Sequence, residues 1–554
     1  MSRAISKLGW GPSHQEMEPP GKPSWEWLWA LCGWYLLAVL AYDGIGLGGG
    51  SPFLGALKLL LVGWLAWRLF IAICNGTVPV GWLAELIRGR ADEKPGQEIE
   101  ASRPGAAIRE ELERRGGGAY LGTAPAGHWA LADPESAVMV LGPPRSGKTS
   151  AVMIPAVMSA AGAVISTSTK PEVMRASVEV RSEVGQAWLF DPSASERRLP
   201  AGVRRLRWSP VAGAGSWDEA LVMARAMSAA TRPGAGSTNE NHWSERSAAL
   251  LAPLLHAASL TEQPIAEVLR WVLRQELEPA RAALLDAEAE IAADVLAGIE
   301  ATDARERSSI FSATAGVLAA YNADAVRESA ARPNFDPARF AESCDTIYIT
   351  APEQRQALCA PLIVGLLEQV RHAVYERAAG EETEGPQMLW ALDEVANVAP
   401  IHDLAALISQ AGGQGLQVMV GLQDLSQARS RWGTEVTEGF MSLFQTKLVL
   451  SGIGDPRTLE SISVALGEYD RRVVAQTLGT SESDKWLDPH HYSESVSYQT
   501  QRQRVLPPGD IAALPPRQGL LLRGAGWGLI GLTRWFECEP WRSVAKRPRA
   551  MTVG

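Results

Sequence analysis

A glycine-rich loop between an apolar run and a helix-forming run is the most specific chemical signal in the sequence. Residues 142–149 read Gly-Pro-Pro-Arg-Ser-Gly-Lys-Thr and fit the phosphate-binding pattern G-x-x-x-x-G-K-[ST]. Backbone N–H groups of such a loop, together with a helix N-terminus, bind phosphate oxygens. The pattern therefore predicts an ATP-binding loop of nine residues: Gly142, Pro143, Pro144, Arg145, Ser146, Gly147, Lys148, Thr149 and Ser150.

Two residues of this loop have individual roles in the predicted chemistry. Lys148 would contact the β- and γ-phosphates of ATP, and the Thr149 hydroxyl would ligate Mg²⁺. The alternative is a chance glycine turn. The flanks argue against it, because Ala137–Leu141 reads as a buried strand and Ala151–Ile154 begins a helix, which is the context this loop requires.

A second apolar run ends in two carboxylates and supplies the other half of the predicted site. Met388–Leu392 reads as a buried strand and is followed by Asp393 and Glu394. Asp393 would hold Mg²⁺ through water, and Glu394 would be the general base for the attacking water. Surface strands also end in acids, so the catalytic interpretation depends on the phosphate-binding loop upstream.

The next apolar run, Leu416–Leu422, ends in Gln423. An amide at this place can hydrogen-bond the γ-phosphate or its water and sense hydrolysis, although an ordinary polar residue at a strand end is the alternative. Ring-forming ATPases complete such sites with an arginine from a neighbouring subunit. The candidates that follow Gln423 are Arg429, Arg431 and Arg457.

Two further basic residues are predicted at the ligand edge of the sheet. Arg145 lies inside the loop, where it would contact phosphate or a neighbouring subunit. Lys170 follows the second strand of the domain.

These residues can meet only if their strands are parallel neighbours. Seven short, nearly continuous apolar runs fit the strands of a parallel sheet covered on both faces. They are Ala137–Leu141, Ala163–Thr167, Ala187–Phe190, Thr346–Thr350, Met388–Leu392, Gln417–Gly421 and Thr446–Leu450. A strand pair, Gly519–Arg523 and Trp527–Leu532, is predicted to close this α/β domain.

Three other segments differ from the sheet-forming runs. Between Gly215 and Pro337, alanine, leucine and charges recur at helical spacing, which predicts an all-helical insertion. Thr477–Gln503 is polar and predicts a loop or a β-excursion. Ile108–Arg115 predicts a helix within an otherwise charged linker.

The N-terminal region has the pattern of a membrane anchor. Trp27–Tyr42 carries no charge, and Phe53–Ile73 is interrupted only by Lys58 and Arg68. Basic residues flank this pair while the loop Asp43–Pro52 has none, so both termini are predicted to be cytoplasmic and the anchor to lie in the inner membrane. The alternative is a cleaved signal peptide followed by a buried helix.

Composition sets broader limits. The chain has 554 residues, enough for about three structural units, and 46% of them are hydrophobic. With a net charge of −10, the chain lacks the overall basic character of many nucleic-acid-binding proteins, although a ring-shaped assembly can confine positive charge to its pore. The five cysteines are scattered and odd in number, which favours neither a disulfide framework nor a zinc site.

Together these motifs resemble the TraG/TraD-like coupling proteins of type IV secretion. The segment Leu392–Ile401 (LDEVANVAPI) is similar to the family's L-D-E-[FV]-A-N signature, and Gly412–Gly415 and Gly421–Gln427 resemble its G-x-G and Q-[SD]-x-x-Q segments. The segments Lys447–Gly467 and Arg504–Pro508 are also similar to this family. One departure is that the family's D-P-K-G-E is here Ser-Thr-Lys-Pro-Glu, so a role for its aspartate cannot be transferred.

The resemblance implies a membrane-anchored hexameric ATPase with a RecA-like motor domain. Such a protein would recruit a relaxase bound to single-stranded DNA, or protein substrates, and feed it to type IV secretion channel components. Alternatives are a double-strand DNA translocase of the FtsK type and a membrane substrate receptor that does not hydrolyse ATP.

The predicted division of the chain combines this resemblance with the composition of each segment. It consists of a disordered cytoplasmic N-terminus (1–24), two transmembrane helices (25–74), a linker (75–118), a RecA-like domain (119–214 and 338–540), an all-α insertion (215–337) and a basic tail (541–554).

Overall fold

The computed structural model describes residues 108–545, apart from residues 109, 113, 115–116, 126, 197, 232–237, 381–385 and 482–490. The predicted N-terminus (1–24) and membrane pair (25–74) lie outside the described residues. Within the described residues, one helical segment, Glu353–Ala379, is long and apolar enough to cross a membrane, and 61% of its apolar window is buried inside the protein.

The strands of the described residues fall into one large sheet and one hairpin. Their bounds are β1 (Tyr120–Thr123), β2 (Trp129–Leu131), β3 (Val138–Leu141), β4 (Val164–Ser168), β5 (Ala187–Phe190), β6 (Val203–Arg205), β7 (Thr346–Thr350), β8 (Met388–Leu392), β9 (Leu416–Leu422), β10 (Thr446–Leu450), β11 (Glu468–Ser481), β12 (His491–Arg504), β13 (Gln518–Arg523) and β14 (Gly526–Gly531). The order in the large sheet is β2-β1-β14-β13-β10-β3-β9-β8-β4-β7-β5-β6.

From β10 to β6 all neighbouring strands of the large sheet are parallel. Every residue of β3, β4, β7, β8, β9 and β10 is buried, as expected for apolar strands covered on both faces. The prediction of a mainly parallel α/β sheet is confirmed, and all seven predicted strands are present.

Four antiparallel strands extend this sheet at one edge. The predicted pair is present as β13 and β14, and β1 and β2 continue beyond it. Strands β1, β2 and β6, which have three or four residues each, were not predicted from the sequence. Trp129 of β2 stacks on Trp541 with ring centroids 5.0 Å apart, so the start of the predicted basic tail packs against this edge.

The helices that follow the sheet strands are α1 (Ile154–Ser159), α2 (Glu172–Arg181), α3 (Trp217–Ala230), α4 (Thr238–Leu260), α5 (Ile265–Arg274), α6 (Glu278–Asp286), α7 (Glu290–Glu300), α8 (Ala304–Val317), α9 (Asp324–Ala331), α10 (Pro337–Ala341), α11 (Gln356–Ala379), α12 (Val395–Val398), α13 (Leu404–Gln410), α14 (Leu425–Trp432), α15 (Thr434–Leu443), α16 (Pro456–Leu466), α17 (Pro508–Ala512) and α18 (Trp541–Ala545). The predicted helix in the linker is also present: residues 108, 110–112 and 114 are helical, and Ile108 and Leu112 are buried.

Between β6 and β7 the described residues contain helices and turns but no strand, which agrees with the predicted all-α insertion. Helix α3 begins with a capping box, in which the Ser216 hydroxyl accepts a hydrogen bond from the Glu219 N–H and the Glu219 carboxylate accepts one from the Ser216 N–H. Helix α4 contacts α3, α6, α7 and α8, and its Leu250 and Leu254 are fully buried. The helices of this segment therefore pack against one another around α4.

The polar segment predicted as a loop or β-excursion forms the hairpin β11–β12. Its ladder runs from the Glu468–Arg504 pair to the Ser481–His491 pair. Helix α16 leads directly into β11 and also holds the end of β12, because the Arg504 guanidinium donates two 2.6 Å hydrogen bonds to Glu460. The base of the hairpin is thereby fixed to α16.

Candidate nucleotide-binding site

Three adjacent parallel strands bring the predicted site residues to one edge of the sheet. Strand β9 lies between β3 and β8, with Leu141 paired to Leu422 and Leu392 paired to Val420. Since the carboxyl ends of parallel strands lie at the same edge, the loop after β3, the acids after β8 and Gln423 after β9 converge there. The three segments are far apart in the sequence, and the order of the strands in the sheet brings them together.

The phosphate-binding loop has the backbone that its glycines permit. Gly142 donates its N–H to the Leu422 carbonyl at 3.1 Å, and a Cβ at Gly142 would lie 2.5 Å from the Ser146 Oγ. Gly147 has φ 101°, a left-handed conformation that strongly favours glycine. The helix begins at Lys148, earlier than the predicted Ala151, and its first turns to Met153 have π-type hydrogen bonding.

Lys148 and Thr149 both reach the acidic end of β8. The Lys148 side chain is 7% exposed, and its Nζ lies 3.5 Å from Asp393 Oδ1 and 3.7 Å from Glu394 Oε1. Thr149 Oγ1 donates a 2.7 Å hydrogen bond to Asp393 Oδ2. The structure therefore brings together the four residues predicted to carry phosphate binding, metal binding and water activation.

The carboxylates of Asp393 and Glu394 differ in their surroundings. Asp393 is 7% exposed in its side chain, its carbonyl accepts a 2.9 Å hydrogen bond from Thr167 Oγ1, and its Oδ1 accepts the Glu394 N–H at 3.1 Å. Glu394 has φ 55°, which turns the chain sharply into α12, and its side chain is 21% exposed. Glu394 is thus open to solvent water, while Asp393 is enclosed.

Gly421 of β9 provides the space that Asp393 occupies. A Cβ at Gly421 would lie 2.6 Å from Asp393 Oδ1 and 2.9 Å from the Met153 Cε. Both contacts are shorter than atoms tolerate, so a side chain at Gly421 would displace the carboxylate. The strand between the two motifs therefore shapes the site even though it carries no charge there.

The donors of this site fit a magnesium nucleotide. The Lys148 Nζ and the Ser146 Oγ are buried and make no hydrogen bond to another described residue, as groups that receive phosphate oxygens would. The first N–H groups of the helix from Lys148 have no partner within the helix. Thr149 and Asp393 are the hard oxygen ligands that Mg²⁺ prefers together with phosphate.

Gln423 lies at the predicted place, directly after β9, and is partly exposed. Its backbone N–H is accepted by Gln427 Oε1 at 2.9 Å. No role was predicted for Gln427, although its position four residues after Gln423, across the start of a helix, was a usable signal in the sequence.

The three arginine candidates have different environments. Arg429 forms an ion pair with Asp455, and Arg431 donates to the Ala230 carbonyl at 3.0 Å. Arg457 is exposed on α16 and its side chain has no hydrogen bond or ion pair to another described residue. Arg145 and Lys170 are both exposed at the ligand edge.

In the segment that departs from the D-P-K-G-E pattern, Ser168 stands where the pattern has aspartate. The Ser168 Oγ accepts the Lys170 N–H at 3.3 Å. The serine therefore supports the local turn with its hydroxyl and brings no charge to the site.

A RecA-like parallel sheet with this loop and this acidic strand end defines the class of P-loop nucleotide-binding proteins. The family described as "Type IV secretory system Conjugative DNA transfer" matches residues 98–547, and the chain belongs to that family. The resemblance to type IV coupling proteins is thereby confirmed. No curated protein matches the sequence.

Solved structures of one coupling protein share the fold. The unbound bacterial conjugative coupling protein TrwB lacking its N-terminal 70 residues is 18% identical with a TM-score of 0.55, over 76% of this chain and 91% of that chain. The complex of TrwB with ADP and Mg²⁺ is 18% identical with a TM-score of 0.54, over 77% of this chain and 91% of that chain. The complex of TrwB with the ATP analogue ADPNP is 18% identical with a TM-score of 0.54, over 76% of this chain and 92% of that chain.

Proposed function

We propose that this protein is an ATPase motor anchored in the inner membrane that couples ATP hydrolysis to conjugative DNA transfer. The convergence of Lys148, Thr149, Asp393 and Glu394 carries this proposal. These residues supply a phosphate-binding cation, a metal-binding hydroxyl and carboxylate, and a general base within one small volume. Membership of the conjugative DNA-transfer family supports DNA as the substrate.

Each residue of the site would have one task. Lys148 would hold the β- and γ-phosphates of ATP, and Thr149 and Asp393 would hold Mg²⁺, which balances charge on the transferred phosphoryl group. Glu394 would take a proton from the attacking water through its solvent-accessible carboxylate. Gln423 would hydrogen-bond the γ-phosphate or that water and so distinguish the state before hydrolysis from the state after it.

The assembly we propose is a homo-oligomeric ring, with six subunits as the resemblance implies. In such a ring Arg457 is the best placed of the three arginines to reach a neighbour, because Arg429 and Arg431 are already engaged within the chain. The apolar pair in residues 25–74 would anchor the ring in the membrane with both termini cytoplasmic. A relaxase–DNA complex and the secretion channel would be its partners.

The test is the steady-state ATPase rate of the full chain in lipid nanodiscs, with and without single-stranded or double-stranded DNA. Lys148→Ala and Glu394→Gln are measured beside it. We expect turnover that single-stranded DNA stimulates and that both substitutions abolish, since one removes phosphate binding and the other water activation.

Other results would redirect the proposal. Stimulation by double-stranded DNA alone would indicate a duplex translocase. Nucleotide binding without turnover, in an assembled ring with DNA present, would indicate a substrate receptor in place of a motor.

A further inference from the structure

The peptide group that joins Leu422 to Gln423 is held from both of its sides. Its carbonyl accepts the Gly142 N–H of the phosphate-binding loop at 3.1 Å. Its N–H donates to the Gln427 Oε1 at 2.9 Å. One planar unit at the end of β9 is therefore connected at once to the phosphate-binding loop and to the first turns of α14.

We infer that Gln427 is a positioning residue for Gln423 in the proposed ATPase, a role that rests on the proposed function. A peptide plane with both polar groups engaged cannot rotate without losing two hydrogen bonds. The Cα of Gln423 is attached to that plane, so the origin of its side chain is fixed relative to the loop. A side chain that must meet a γ-phosphate or a water requires such a fixed origin.

The helix that carries Gln427 is itself fixed. The Asp424 carboxylate caps α14 by accepting the Ser426 N–H at 2.8 Å. The Leu425 N–H donates to the Thr458 Oγ1 of α16 at 3.0 Å. Gln427 is therefore presented from a rigid base, which a positioning residue needs if it is to transmit its own placement to another residue.

A purely structural role, as an ordinary polar contact at the start of α14, would have different consequences. It would lower the stability of the chain and affect all properties of the site together. A positioning role acts through Gln423 alone. Its loss should lower kcat and leave the binding of ATP by Lys148 and Thr149 unchanged.

The experiment uses the full chain in nanodiscs and three substitutions. Gln427→Met keeps the size of the side chain and removes the acceptor, Gln427→Glu keeps an acceptor oxygen, and Ser430→Ala is a control at an exposed residue of the same helix. Deuterium exchange at the Gln423 amide is followed by mass spectrometry. The kcat and KM for ATP are measured alone and in a Gln423→Ala background.

We expect Gln427→Met to speed exchange at the Gln423 amide and to lower kcat about tenfold, with KM within about twofold of wild type. In the Gln423→Ala background the same substitution should lower kcat by less than about twofold, because the positioned group is already absent. Gln427→Glu should recover most of kcat, and Ser430→Ala should match wild type.

Two results would overturn the positioning role. One is a wild-type kcat in Gln427→Met, and the other is an equal loss of kcat in the presence and absence of the Gln423 side chain. A wild-type chain that binds ATP and never hydrolyses it would instead overturn the proposed ATPase, and the inference with it. The two failures are therefore distinguishable.

Discussion

Thr149 Oγ1 and Asp393 Oδ2 are 2.7 Å apart, although 244 residues separate them in the chain. This hydrogen bond connects the first turn of the helix after the phosphate-binding loop to the carboxyl end of β8. Both atoms are oxygen ligands of the kind that bind Mg²⁺, and the hydrogen bond holds them in place beside the buried Lys148. The relative position of these two side chains, which would hold Mg²⁺ in the proposed site, is thus set by a contact between the protein's own residues.

Substitution of Glu394 should separate nucleotide binding from hydrolysis. Glu394→Gln removes the proposed general base and leaves Lys148 and Thr149 in place, so we expect kcat to fall by about 100-fold or more with ATP affinity retained. Phosphate release and equilibrium binding of an ATP analogue measure the two quantities. Glu353→Gln is the matched control, since Glu353 is exposed in the segment that follows β7. A wild-type kcat in Glu394→Gln would place the base elsewhere.

Substitution of Gly421 tests the space beside Asp393. In Gly421→Ala the new Cβ would lie 2.6 Å from Asp393 Oδ1, so the carboxylate must leave its observed position. We expect lower ATPase activity and a free energy of unfolding reduced by about 1–3 kcal/mol, as for other overpacked interiors.

The control for that substitution is Gly298→Ala in α7, where a Cβ would meet no atom within 4 Å. Alanine has the higher helix propensity, so this variant should gain up to about 1 kcal/mol. Thermal unfolding and ATP turnover are measured on both proteins. Full activity in Gly421→Ala would show that Asp393 does not need its observed position.

Arg181 should be the most important side chain of α2 for stability. It is 1% exposed and donates to the carbonyls of Ala160, Gly162 and Cys344 and to the Thr346 hydroxyl. Arg181→Met would leave these buried acceptors without their donor, and we expect a loss of about 3 kcal/mol or more in the free energy of unfolding.

Arg175→Met is the matched control on the same helix. The Arg175 side chain is 56% exposed and pairs with Glu196 at 2.9 Å, so its loss should cost less than about 1 kcal/mol. Chemical denaturation followed by circular dichroism gives both values. Equal losses for the two arginines would contradict the assigned role of Arg181.

Asp455 should make stability depend on pH in the acid range. Burial acts to raise its pKa, but hydrogen bonds from Thr458 and Arg429 outweigh it, and the pKa of Asp455 lies below its ordinary value of 3.8. A carboxylate with a lowered pKa in the folded state contributes stability above its ordinary pKa and loses it as pH falls through the folded-state value.

The corresponding measurement is the free energy of unfolding of wild type and Asp455→Asn from pH 7 to pH 3. The difference in free energy of unfolding between wild type and Asp455→Asn should be constant near neutral pH and become smaller below about pH 4. Arg429→Met removes one of the hydrogen-bond donors to Asp455, so in this variant the part of the free-energy difference that is lost below about pH 4 should be smaller. A difference that stays constant over the whole range would contradict this assignment.

The residues of the candidate nucleotide-binding site and most of the sheet could be predicted from the sequence because the responsible signals are local. The buried strands are continuous apolar runs such as Met388–Leu392, and the loop at 142–149 has fixed spacing. Strands β2 and β6 are the two edge strands of the sheet and have only three residues each; β6 reads Val-Arg-Arg, and both arginines are exposed. Strand β1 lies inside the sheet, but its sequence Tyr-Leu-Gly-Thr contains a glycine and is not a continuous apolar run.

Contacts that depend on packing between distant elements could not be predicted. The engagement of Arg429 by Asp455 requires α14 to lie against α16, and nothing in either segment specifies that neighbour. The same holds for the four acceptors of Arg181, because two of them lie at residues 160 and 162 and the other two at residues 344 and 346. Residue types showed that these arginines were available; only the fold shows which are already engaged.

The strand order also has a consequence for how this chain is made. In the sheet, Val138 of β3 pairs with Met419 of β9 and Thr446 of β10, both far downstream. At ribosomal rates of about 5–20 residues per second, β3 therefore waits roughly 15–60 s for its first neighbour. The helices between β6 and β7 make local contacts and can fold during that interval. The nucleotide site then arises late in synthesis, so a nascent chain cannot bind ATP at a complete site before the centre of its sheet has closed.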